Sequence, residues 1–166
     1  MKKVLLTGLI LLTVSSCGYS IAGFNNSIPV KYYINVVNNN TIDTYIGDII
    51  QLEAERFFLS YNELSSYKQA SYFMDININN LKYINPILSA TDEASSTNIS
   101  YDITIIVTDV EGKEIYSYNT TVSKSFTITQ SVSTALQNKD QALKDSLQDI
   151  FTTFRINISP KVYKKS

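Results

Sequence analysis

The stretch that decides the fold is ISYDITIIVTDVEGKEIYSYNTTVSKSFTI, residues 99–128. In its first arm Ile99, Tyr101, Ile103, Ile105 and Val107 fall on one side, and Ser100, Asp102, Thr104 and Thr108 fall on the other. A period of two marks a strand with one covered and one wetter face. Asp109-Val110-Glu111-Gly112 then reads as a turn, with Gly112 able to adopt positive φ at no steric cost. The second arm, Glu114–Ile128, is rich in Ser and Thr, as in a partly solvated strand. Together the arms predict a long antiparallel hairpin, with the first arm extending over 99–110.

Working outward, residues 70–83 alternate in the same way. Tyr72, Met74, Ile76 and Ile78 oppose Asp75, Asn77 and Asn79, and Asn85-Pro86 ends the run. Residues 89–98, SATDEASSTN, read as a polar loop. Upstream, residues 30–37 (VKYYINVV) predict a first strand that Asn38, Asn39 and Asn40 terminate. Residues 41–61 carry Ile42, Ile46, Ile49, Ile50, Ala54, Phe57 and Phe58 at spacings of three and four, which predicts a helix capped by Thr41 or Asp43. Gly47 is an unfavourable residue inside it. A second helix is expected over 138–154, with Leu143, Leu147, Ile150, Phe151 and Phe154 as its stripe and Asn138 with Gln141 as a capping box. The segment from Asn157, with Pro160 and then Lys161, Lys164 and Lys165, reads as a frayed basic tail.

The order is β-α-β-β-β-α. Two amphipathic helices and a half-covered four-stranded mixed sheet imply an α+β two-layer sandwich with both helices on one face. The other face, carrying Asn, Ser, Thr and Tyr, must meet water or a partner.

The 166 residues suit one ordinary domain. With 14 Lys+Arg against 15 Asp+Glu, the chain is no phosphate-neutralising nucleic-acid binder. There is no His, and Cys17 is the single Cys. Ser-His-Asp and Cys-His catalysis, His-ligated zinc and any intrachain disulfide are therefore excluded. An enzyme would have to work with carboxylates, Lys or Tyr alone. Three sequon matches, at Asn98, Asn119 and Asn157, read as chance hits in an Asn/Ser/Thr-rich chain. No cofactor or metal is expected.

The first segment is an address. Lys2 and Lys3 precede the apolar run 4–14, VLLTGLILLTV. A spanning helix needs roughly 20 apolar residues, so this run fits a signal-peptide core instead. It leads into Val14-Ser15-Ser16-Cys17, the pattern of a bacterial lipobox. Lipidation at Cys17 explains a lone Cys in an exported chain. Residues 1–16 are then a leader, 17–29 a lipidated tether, 30–158 the domain and 159–166 a basic tail. Loss of Lys2 and Lys3 leaves 12 basic against 15 acidic residues, a net of −3. Two or more acyl chains anchor stably where one does not.

The layout also resembles a known family. The features are the lipobox with Cys17-Gly18-Tyr19-Ser20-Ile21-Ala22-Gly23 and Ile28-Pro29, then Ser100-Tyr101 in a long strand and the Glu111-Gly112 turn. Ser123-Lys124-Ser125-Phe126 in the return strand and Ala135-Leu136 before Lys139-Asp140 complete the set. In this order they resemble LptE, the lipopolysaccharide assembly lipoprotein. The resemblance implies an outer-membrane lipoprotein, anchored through its lipid on the periplasmic side. It would sit in the lumen of an LptD-type β-barrel as plug and assembly partner, and assist lipopolysaccharide delivery without catalysing a reaction. Gly18, which is not Asp, agrees with sorting to the outer membrane as in enteric bacteria.

The resemblance further implies glycolipid contacts at Lys139 and Lys124, since phosphorylated head groups attract cations. At Asp92 and Glu93 the chain departs from the basic pattern of the family it resembles. A partner interface is expected on the polar sheet face (Asp75, Asn77, Asn79, Asp102, Thr104, Thr108) and on Tyr116 and Tyr118, whose rings combine contact area with a polar tip. The alternative is a periplasm-facing lipid-binding or transporter-accessory lipoprotein, which requires an apolar cavity between helices and sheet.

Overall fold

The computed structural model describes residues 30–84, 95–129 and 131–163. The lipobox with Cys17, the tether, and Asp92 and Glu93 lie outside them. The elements are β1 (Tyr32–Asn39), α1 (Thr44–Ser60), a short 3₁₀ turn (Tyr67–Gln69), β2 (Tyr72–Ile84), β3 (Ser95–Asp109), β4 (Glu114–Ile128) and α2 (Val132–Val162). Their order is the β-α-β-β-β-α expected, and the sheet is mixed. It runs β1-β2-β3-β4, with β1 parallel to β2 and the other pairs antiparallel. Parallel neighbours need a crossover, which α1 supplies.

Alternation sets the layers. Ile34, Met74, Ile76, Ile78, Ile99, Tyr101, Ile103, Ile105 and Val107 are buried under the helices. From α1 come Ile46, Ile50, Phe57 and Phe58, and from α2 Leu147, Phe151, Phe154 and Ile158. Phe58 packs 5.9 Å from Phe151 and 6.2 Å from Phe154, which joins the helices over the sheet. Tyr101, fully buried, shares a 2.7 Å hydrogen bond with the buried Ser146 hydroxyl. Burial pushes its phenol up to about 12, against a smaller opposing effect of that bond.

The structure shifts several boundaries. β3 begins at Ser95, so the last four residues of the expected loop at 89–98 are strand. Helix α1 is capped by Asp43, whose side chain accepts from the Tyr45 amide. Gly47 has a packing reason: a Cβ there would stand 3.1 Å from the Asn39 Cβ, where α1 crosses the end of β1. Helix α2 starts at Val132, capped by Ser131. Asn138 is therefore no cap; from inside the helix its amide donates to the Thr127 carbonyl at 2.9 Å. The expected frayed tail is helical to Val162, and the folded domain extends past residue 158. The stripe continues through Ile158 and Val162, both buried, while Pro160 faces solvent.

Candidate functional site

The side of the sheet away from the helices is bare among the described residues. Its side chains form rows across the strands, because partners in register point the same way. Asn38, Asn77, Thr104 and Asn119 make one row. Asn79, Asp102 and Thr121 make the next, with Asn40 beside Asn79. On β4 the same side continues with Ser117, Ser123, Ser125 and Thr127, all exposed. Strands lie about 4.8 Å apart and same-face residues about 6.8 Å apart along a strand, so the groups form a regular array.

The array is internally bonded. Between β1 and β2, Asn35 donates to Asp75 at 3.0 Å, Asn38 to Asn77 at 2.9 Å and Asn40 to Asn79 at 3.0 Å. Thr121 and Asn80 each donate to Asp102 at 2.6 Å, and these bonds hold its carboxyl below the usual range. Asn80, at φ 55, is the extra residue of a bulge that turns Leu81 back toward the core. A ring cluster closes one end of the face: Tyr67 lies 5.5 Å from Tyr33 and 5.0 Å from Phe73.

Asn77, Asn79 and Thr104 thus stand where the sequence places them. Tyr116 and Tyr118 do not. They are on the helix-covered side, 5.9 and 6.2 Å from Phe154. The wet side of β4 belongs to Ser117, Asn119, Thr121 and Ser123, and their alternation with Tyr116, Tyr118 and Val122 is the signal that identifies them.

The two candidate lysines are apart and engaged differently. Lys139 lies inside α2. Its ammonium meets Asp43 Oδ2 at 2.9 Å, and Tyr83 donates to the same oxygen at 2.8 Å. Ile46, Ile49, Ile99 and Leu143 pack around this trio, and both charged side chains keep about a fifth of their surface exposed. Burial alone would raise the Asp43 pKa and lower that of Lys139. The hydrogen bonds with each other and with Tyr83 outweigh it, so Asp43 is held below and Lys139 above its ordinary value. Lys124 is on β4 at the rim of an open groove of about 240 Å³ against α2, with Asn138, Gln141 and Asp145 on the far wall. Its ammonium is 3.8 Å from Asp149. Among the described residues no cluster of Asp and Glu is placed to hold a metal, and no helix is long and apolar enough to cross a membrane.

Known structures share this fold. A protein from Xanthomonas campestris superposes with a TM-score of 0.56 at 9% identity, over 81% of this chain and 88% of that one. One from Caulobacter crescentus gives 0.51 at 11%, over 75% and 88%. An uncharacterized lipoprotein B from Nitrosomonas europaea gives 0.50 at 13%, over 89% and 99%. At such identities the likeness is one of fold. No family model and no curated protein matches the chain.

Proposed function

We propose that this chain is an exported lipoprotein, acylated at Cys17, that seats in the lumen of a large outer-membrane β-barrel of the LptD type. There it supports assembly of the barrel and passage of lipopolysaccharide or a related glycolipid to the outer leaflet. The observation that carries the reading is the bare sheet face, an ordered array of amides and hydroxyls in which the two carboxylates, Asp75 and Asp102, are each hydrogen-bonded. A barrel lumen is polar and wet, and such a face matches it while its carboxylates keep their hydrogen-bond donors. The lipobox supplies the membrane attachment, and the fold shared with a lipoprotein from Nitrosomonas europaea agrees with it. The protein's work is binding and shape, with no reaction assigned. Lys124, at the rim of an open groove, is the more accessible of the two candidate glycolipid contacts. Lys139 would have to leave Asp43 first.

The test is co-purification. The tagged full-length chain, extracted from its own membranes in mild detergent, is expected to bring down a large barrel protein in near-stoichiometric amount. Recovery of the lipoprotein alone would overturn the plug reading. Cys17→Ala is expected to abolish incorporation of labelled palmitate and release the chain from the membrane fraction.

A further inference from the structure

The bare face has a chemistry more specific than wetness. A carboxamide has two N–H donors and an oxygen with two lone pairs. In the Asn38–Asn77 and Asn40–Asn79 pairs, one donor and one acceptor are spent on the partner. That bond fixes both amide planes and leaves further N–H donors and carbonyl lone pairs side by side on each pair. The unit occurs twice, and the seam ends at a bulge where exposed Val36 is the register partner of Asp75 and Asn35, the extra residue, donates to that carboxylate. Adjacent hydroxyls on a pyranose ring need such fixed donor–acceptor pairs, and bonds that preorganise the amides reduce the entropy lost on binding.

Next to the seam stand rings. Tyr33 and Phe73 are register partners on the bare face, and Tyr67 packs on both while staying 62% exposed. An exposed tyrosine ring offers an apolar surface to the C–H face of a sugar and a hydroxyl at its edge. The charges restrict the choice. Among the paired amides the charged groups are Asp75 and, on the next strand, Asp102; Lys31 and Lys68 stand at the ring end and Lys82 beyond the other end, beside Ser100. The paired amides themselves therefore offer phosphate and carboxylate groups no countercharge.

We propose that the β1–β2 seam, from Tyr33, Tyr67 and Phe73 to Asn40 and Asn79, binds a chain of uncharged sugar units. This goes beyond the plug reading, which sets the same face against a wet barrel lumen; the seam is complete in the isolated chain, where sugar binding is tested by itself.

The test uses the soluble chain from Gly18 onward with hexamers of glucose, mannose and N-acetylglucosamine, and galacturonic acid pentamer as the charged comparison. Side-chain amide signals are followed by NMR. At least one neutral hexamer is expected to shift the amides of Asn38, Asn40, Asn77 and Asn79 saturably, and the galacturonate is expected to shift none. Tyr67→Ala and the Asn38→Ala/Asn77→Ala pair, checked for unchanged circular dichroism, are expected to weaken binding about fivefold or more, the factor that loss of one or two net hydrogen bonds implies. Silence with all three neutral hexamers, equal response to galacturonate, or full affinity in both variants would overturn the proposal. Capture of a barrel protein leaves this result unaffected, so the two readings fail separately.

Discussion

Arg155 on α2 clasps Glu63, in the loop after α1, from 92 residues away. Its Nε and Nη2 reach Oε1 at 2.9 and 2.8 Å, and Tyr163 donates to the same oxygen at 2.6 Å. The guanidinium also lies 4.0 Å over the Tyr61 ring. Glu63 is only 2% exposed, so these partners take the place of water around its carboxylate. Arg155→Ala strands a buried carboxylate and is expected to cost about 2 kcal/mol, below the range for fully buried pairs because the arginine keeps some solvent contact. Adding Glu63→Gln should recover part of that loss. Urea unfolding of the two variants and the wild type checks the sign and the recovery.

Asp43 and Lys139 make stability depend on pH. The Asp43 pKa is lowered in the fold, so its contribution is complete above the ordinary carboxylate value and fades as pH falls through the lowered one. The Lys139 pKa is raised, so its share holds at neutral pH and is lost only on the far alkaline side. Asp43→Asn keeps a capping oxygen for the Tyr45 amide but removes the ion pair. It is expected to cost about 1 kcal/mol near pH 7, the upper end for a pair in partial solvent contact. The gap from wild type should close as pH falls below 4. A constant gap in urea midpoints from pH 7 to pH 3 would refute the linkage.

Gly47 tests packing against propensity. In a free helix Gly→Ala gains about 1 kcal/mol. Here the new methyl would stand 3.1 Å from the Asn39 Cβ. Asn39 cannot swing away, because its amide donates to the Asp43 carbonyl at 2.8 Å and its oxygen accepts from the Thr41 hydroxyl at 2.7 Å. Gly47→Ala is therefore expected to destabilise by about 1 kcal/mol, the low end for overpacking, as a thermal melt would show.

Most of the fold was legible because period and composition agreed. Ile99 to Val107 alternate, and the buried positions of α1 recur at three and four. The bare face followed from the same parity on β2 and β3. It failed on β4, where Tyr116 and Tyr118 were read by side-chain type instead of by position. Rings large enough to serve a partner are also large enough to fill the space beneath Phe154. The Lys139–Asp43–Tyr83 trio was invisible because its members are far apart in the chain, and a solvated lysine has the same letter as a paired one. Glu63 carries no local signal of burial either.

Pro160 misled the reading of the last helix, and it supplies the sharpest contrast between a tail and a helix. Proline lacks the N–H that would serve the carbonyl of Ile156, and its ring presses on that turn. The helix continues because Ile158 and Val162 dock into the core and Tyr163 bonds Glu63, while Pro160 itself faces solvent. Ending the chain at Asn157 removes those anchors and is expected to cost about 3–5 kcal/mol, the worth of two buried aliphatic side chains. Pro160→Ala restores the missing donor and is expected to raise stability by about 1 kcal/mol, a fraction of the full helix-interior penalty because the site is near the helix end. A frayed tail would respond to neither change, so urea unfolding of the two variants decides between a tail and a docked last turn.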